Sequence, residues 1–236
     1  MKIVIIEPYF TGSHALWAHE YKSCSRHQVT ILSLKGQYWK WRMHGGAVTL
    51  AGELLSRKLK PDLLLATDML DLTTFLALTR QATADIKTAI YFHENQLTYP
   101  WSENDRDVIH QRDMHYGFIN YVSALTADLI LFNSHYHLHS FRSELPRFLK
   151  SFPDNNELDT VQQILEKSKV LYLGMDLQKF DRLDMPETGS RKTGLPLILW
   201  NHRWEYDKNP EEFFALLYSR RLPILHRPAQ CLSRAQ

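Results

Sequence analysis

Six short, unbroken apolar runs recur through the first three quarters of this chain, each set apart from the next by a longer amphipathic stretch. The runs are Ile3–Ile6, Val29–Leu32, Leu63–Ala66, Thr88–Phe92, Leu129–Phe132 and Val170–Leu173. A strand that does not alternate apolar with polar residues is covered on both faces, which is the condition of strands in a parallel sheet. Between the runs, helical periodicity falls near 14–23, 47–59, 71–80, 106–126 and 134–150. This strand–helix alternation predicts an α/β fold, a doubly wound parallel sheet with helices on both faces. No internal repeat at a solenoid period interrupts it.

The pattern restarts late in the chain. Residues 184–196, "DMPETGSRKTGLP", are rich in proline, glycine, hydroxyl and charge, and are expected to be a linker. After them come an apolar run, Leu197–Trp200, a polar loop, and a helix opening at Asn209-Pro210-Glu211-Glu212. Asn suits an N-cap, Pro the first helical position, and Glu the first turn. The expected organisation is a Rossmann-like domain over 1–183, a linker over 184–196, and the incomplete start of a second α/β domain over 197–236. A segment of about 40 residues seldom builds its own core, so the C-terminus is expected to be truncated or altered.

Composition narrows the function classes. The 236 residues carry a formal charge of +2, which permits an anionic partner without demanding nucleic acid. The two cysteines, Cys24 and Cys231, have no motif spacing, arguing against a disulfide framework or zinc ribbon and for a reducing cytoplasm. The opening apolar run is too short for a signal peptide, and no segment approaches a membrane span.

In open parallel sheets, ligands bind outside the carboxyl ends of the strands. Five polar or aromatic clusters fall there: "EPYFTGSH" (7–14), "KGQYWKWRMHGG" (35–46), "TDMLD" (67–71), His93-Glu94-Asn95-Gln96, and Asn133-Ser134-His135. His93 ends a buried strand within a dense polar group, which places it on a cleft floor as the candidate catalytic residue. Thr11-Gly12-Ser13-His14 fits two readings, a turn with Ser13 as N-cap or a loop against a ligand. Asp71 and Ser134 are expected to cap helices, and Asp105 and Asp107 to be first-turn charge. Metal signals are weak: "HENQL" lacks a second histidine four positions on, and of His135, His137 and His139 only the first and last share a helical face. If Trp39-Lys40-Trp41-Arg42 is extended, the two tryptophans lie on one side and the two cations on the other. Exposed, these residues suit RNA, with bases stacked on indole and cations on phosphate; otherwise the tryptophans belong to the core.

The segments "VLYLGMDLQKF" (170–180) and "WNHRWEYDKNPEEFF" (200–214) resemble those leading into the second domain of retaining group 1 glycosyltransferases of the GT-B fold. Together with "EPYFTGSH", "WKWR", "YFHENQLTYP" and "FNSHYHLHSF", they resemble the tRNA-queuosine α-mannosyltransferase family over residues 1 to about 218. The resemblance implies transfer of mannose from GDP-mannose to the queuosine base of tRNA(Asp), with retention and without a metal. It implies that His93 contacts the sugar near the reacting carbon and that Gly12, Arg203 and Lys208 serve the donor. The candidate acceptor-binding residues are Glu94, Asn95 and Gln96 of the strand-end cluster, joined by Trp39, Lys40, Trp41 and Arg42.

Physical chemistry supports the donor assignment: a departing diphosphate gains charge, an Arg fork binds phosphate bidentately, a Lys adds compact charge, and a following helix N-terminus favours the anion. Surface pairing of Arg203 and Lys208 with Glu205, Asp207 or Glu211 is the alternative. The chain departs from the group 1 pattern in one respect, because no two glutamates have seven residues between them, the Glu–seven residues–Glu motif of that group's second domain. Two other functions stay open, a group 1 transferase with a lipid or small-molecule acceptor and a non-catalytic RNA-binding form.

Overall fold

The computed structural model describes residues 1–102, 105–110, 114–181, 198–202, 204 and 208–219. The chain divides into two units, Met1–Asp184 and Met185–Gln236. The expected linker at 184–196 lies outside the described residues.

The first unit is a six-stranded parallel sheet: β1 (Lys2–Phe10), β2 (Gln28–Lys35), β3 (Leu63–Thr67), β4 (Lys87–Phe92), β5 (Leu129–Phe132) and β6 (Ser168–Val170). The strand order is β2-β1-β3-β4-β5-β6. β1 is therefore central early on, with Ile3 opposite both Val29 of β2 and Leu63 of β3. From β1 the chain goes outward to β2, then crosses back to β3 and continues the other way. That reversal makes the gap between the ends of β1 and β3 the switch point where such sheets open a crevice.

Period-two alternation sends Val4, Ile6, Leu64, Ile90 and Phe132 to one face and Ile3, Ile5, Leu65, Ala89 and Tyr91 to the other. The first face packs against α2 (Trp39–Ser56), α3 (Leu72–Thr83), α5 (Met114–Thr126), α6 (His135–Lys150) and α7 (Thr160–Glu166). Trp17 and Ala18 of α1 (Gly12–Cys24) cover the second. Both faces carry helices, as the sequence predicts, but among the described residues the layers are unequal.

Several local expectations need correction. Helix α2 begins at Trp39, well before residue 47, because "HGG" is helical rather than loop. Gly46 is there for packing: a Cβ on it would stand 3.0 Å from Pro8 Cβ, so the absence of a side chain lets α2 close on the end of β1. Consequently Trp39 and Trp41 do not share a side. Trp39 packs beside Trp101 and Tyr116, whereas Trp41 is 64% exposed. The stretch at 106–126 is two helices, α4 (Arg106–Ile109) and α5, with 111–113 outside the described residues. The last strand is Ser168–Val170 rather than Val170–Leu173, and Leu171 to Leu173 are exposed. Helix α7 is an addition the apolar periodicity did not mark.

The last described element of the first unit is α8 (Gln178–Asp181). In the second unit, α9 (Pro210–Ser219) follows Asn209 as the Asn-Pro-Glu-Glu signal predicts, and Trp200 lies 4.5 Å from the Phe213 ring. No described helix is long and apolar enough to cross a membrane.

Candidate functional site

The carboxyl ends of β1, β3 and β4 bring four ionisable side chains together at the switch point. Glu7 lies late in β1, fully buried; His14 comes one turn into α1; Asp68 directly follows β3; His93 directly follows β4. The strand-end pattern anticipates His93; the meeting of the four is set by the strand order.

Glu7 and His14 form the anchor. Glu7 Oε2 and His14 Nδ1 are 2.9 Å apart, and Glu7 Oε1 accepts the Tyr9 backbone N–H at 2.8 Å. Burial works against charge on His14, but the hydrogen bond and the negative charge of Glu7 outweigh it and hold the imidazolium up to about pKa 9. Thr11, not Ser13, occupies the N-cap of α1 and makes no side-chain cap bond. Gly12 follows at φ +51, a conformation glycine adopts freely and one that leaves room beside its Cα.

His93 is clamped through its backbone. Its N–H donates to Asp68 Oδ1 at 2.8 Å, and its carbonyl accepts from Asn133 Nδ2 at 2.7 Å. The imidazole faces His14 at 4.2 Å between centroids and stands edge-on to Trp17 at 4.9 Å. Burial, aided by the positive charge of His14, pulls its pKa down to about 2, so the ring is neutral. Its Nε2 has no hydrogen-bond partner among the described residues. Burial raises the carboxyl of Asp68, which is 1% exposed.

The loop after His93 is shaped by its own polar groups. Asn95 Oδ1 accepts the N–H groups of Leu97 and Thr98, both at 3.1 Å. Gln96 donates its backbone N–H to Asn120 Oδ1 at 2.7 Å, while Asn120 Nδ2 reaches Asp68 O at 2.8 Å. Asn95 and Gln96 are buried, and Glu94 lines an open cavity of about 310 Å³ that also takes in His93, Asn133 and His137.

The remaining expected site residues are dispersed. Lys40 sits near Trp39 and Trp101, its Nζ 2.5 Å from both Asp105 Oδ1 and Asp107 Oδ2. Those two carboxylates occupy the start of α4 as expected, but they also neutralise the lysine. Arg42 Nε donates to Lys35 O at 3.1 Å. Asp71 and Ser134 cap α3 and α6 as expected, accepting from Thr74 N and His137 N. In the second unit Lys208 is exposed and borders a concavity with Asn209 and Glu212. Arg203 lies outside the described residues.

Glu7, His14 and His93 offer ligand atoms within 4.8 Å of one another, a spacing compatible with a metal ion. A metal there would compete with the proton His14 holds, since ligand imidazoles bind deprotonated. What the sequence did not single out is the Glu7–His14 pair, Asp68 and His137. The only hint was position, since all four stand within a few residues of a strand's carboxyl end.

Residues 2–175 match the family described as tRNA-queuosine alpha-mannosyltransferase N-terminal. The chain is also similar to a tRNA-queuosine alpha-mannosyltransferase of Drosophila melanogaster, 35% identical over 214 residues. That alignment covers 89% of this chain and 55% of the fly protein, so the chain spans about half the length of the curated relative it matches.

Proposed function

We propose, because the chain belongs to the tRNA-queuosine α-mannosyltransferase family, that its first unit is the acceptor side of a cytoplasmic glycosyltransferase. The proposed reaction moves mannose from GDP-mannose to a hydroxyl of queuosine in tRNA(Asp), with retention. The bond from the anomeric carbon to the diphosphate oxygen breaks, and a bond from that carbon to the acceptor oxygen forms. The hydroxyl proton leaves with the diphosphate.

The observation that carries this reading is His93, whose backbone is pinned at both ends and whose buried Nε2 is unspent at the rim of a cavity. A group held this firmly is pre-organised, so little ordering is needed when substrate arrives. As a neutral imidazole it exchanges hydrogen bonds with sugar hydroxyls rather than serving as a charged acid. Gly12 admits donor or acceptor close to the backbone. Glu94 faces the acceptor, with Asn95 and Gln96 holding its loop. Trp41 and Arg42 offer stacking and charge to RNA, with Lys40 held by Asp105 and Asp107 and Trp39 packed beside Trp101 and Tyr116 next to them. Arg203 and Lys208 meet the diphosphate in the second unit, a role that requires no metal.

The test is a binding titration of the 236-residue chain against tRNA(Asp) carrying queuosine and the same tRNA carrying guanine. Preference for the queuosine form is expected, and equal binding of the two overturns the acceptor assignment. In the full-length fly relative, replacing the histidine aligned with His93 by Ala is expected to lower turnover by about two orders of magnitude. A folded variant with normal turnover removes His93 from the chemistry.

A further inference from the structure

Three elements supply one side chain each to a small buried volume. Glu7 comes from β1, His14 from the first turn of α1, and His93 from the residue after β4. One carboxylate oxygen and one nitrogen from each imidazole lie within 4.8 Å of one another. Among the described residues this is the one set of three or more His, Cys, Asp or Glu side chains so arranged. Donors on a tetrahedral zinc ion, each about 2.1 Å from the metal, stand about 3.4 Å from one another. The widest pair here therefore closes by at most about 1.4 Å, a shift within reach of small side-chain rotations.

The donor set selects the ion. Two imidazoles and a carboxylate suit Zn²⁺ and its first-row neighbours, whereas Mg²⁺ and Ca²⁺ take oxygen ligands. Charge favours a dication, because the carboxyl groups of Glu7, Asp68 and Glu94 all act electrostatically on His14. Support for the ligands is already built. The Tyr9 N–H donates to Glu7 Oε1 at 2.8 Å and leaves Oε2 for an ion, while Asp68 and Asn133 fix the backbone of His93 from both sides. Such outer contacts orient metal ligands and raise affinity. Nε2 of His93 is buried and has no hydrogen-bond partner among the described residues, and a bound ion is one way such an atom is satisfied. What is given up is the Glu7–His14 hydrogen bond, whose proton the ion replaces.

We propose that Glu7, His14 and His93 form a binding site for one Zn²⁺ ion. The site goes beyond the transfer reaction above, which calls for no metal, and it does not depend on that reaction.

The experiment takes the whole chain, metal-free and with ¹⁵N-labelled histidine, and follows the ring nitrogens by NMR as Zn²⁺ is added. Because the ligands are buried, the ion is supplied both to the folded chain and during refolding from urea. The nitrogens of His14 and His93 are expected to shift together and to stop at one equivalent, with Mg²⁺ leaving them unmoved. Co²⁺ in place of Zn²⁺ is expected to give the intense visible absorption of a low-coordinate ion, and Zn²⁺ to abolish it. His14→Gln and His93→Gln each remove a ligand and are expected to weaken Co²⁺ binding by at least about 100-fold. The double variant His44→Gln/His115→Gln removes a separate stacked pair of imidazoles, 5.0 Å apart, and is expected to change nothing. Three results overturn the proposal: His14 and His93 nitrogens that stay put under both modes of addition, a cobalt spectrum lost in the double variant, or undiminished cobalt affinity in folded His14→Gln and His93→Gln. If neither single variant folds, the nitrogen shifts of the native chain decide.

Discussion

Replacing Glu7 by Gln isolates the charge of the buried anchor from its shape. Gln keeps an oxygen for the Tyr9 N–H and an amide for His14 Nδ1, so the geometry survives and only the charge goes. In the native protein His14 titrates at about 9 instead of 6.5, and it is 8% exposed, so solvent screening is slight. A histidine whose pKa rises on folding holds its proton more tightly in the folded state. Its contribution is complete below pH 6.5 and disappears as pH rises through about 9. The size is about 3 kcal/mol, a sizeable share of the stability of a typical domain. Asp68 acts in the same direction, because burial raises its pKa and its ionisation at higher pH also opposes folding. Urea unfolding followed by circular dichroism at pH 6, 7.5 and 9.5 reads this directly. The wild-type chain is expected to lose at least about 3 kcal/mol from the lowest to the highest pH. Glu7→Gln should start about 3 kcal/mol lower at pH 6, where the native pair is intact, and converge on the wild type at pH 9.5. What slope remains belongs to Asp68. A variant that keeps the full wild-type slope, with unchanged denaturant sensitivity, refutes the assignment of the pH dependence to this pair.

Asn120→Ala removes the one side chain that satisfies both Gln96 N–H and Asp68 C=O, and is expected to cost about 3 kcal/mol, read as a lowered urea midpoint. Trp41→Ala is expected to weaken tRNA binding about tenfold through lost base stacking while leaving stability unchanged, since the ring is 64% exposed. Arg42→Ala should reduce the salt slope of tRNA binding by about one unit, whereas Lys40→Ala should move it less because Asp105 and Asp107 already neutralise that ammonium.

The sheet was legible in the sequence because buried parallel strands leave unbroken apolar runs, and Ile3–Ile6 or Leu129–Phe132 admit no other use. The caps at Asp71 and Ser134 were legible because a cap depends on its own next three residues. Helix α2 was misplaced for the opposite reason: Gly45 and Gly46 argue for a loop locally, and only the close approach of Trp41 to the first and of Pro8 to the second explains why a helix keeps them. The site was half legible. The strand-end rule located His93 and its polar neighbours, but not which groups would meet. That His14 reaches Glu7, or that Asn133 orients both His93 and His137, depends on strand order and helix pitch, which apolar periodicity does not encode.

The clamp on residue 93 also dictates when, during synthesis, the protein can begin to work. Its Asp68 bond joins residues 25 apart in sequence, its Asn133 bond joins residues 40 apart, and the neighbouring Asn120–Asp68 bond spans 52. Each closes a long loop whose entropy is lost before the contact repays it. A nascent chain that has made β1 to β4 owns every strand-end residue from Glu7 to His93, yet the carbonyl of His93 still lacks its Asn133 partner. The pocket becomes competent only after β5 and the start of α6 leave the ribosome and dock. Until then the chain has a growing sheet and an unfinished pocket.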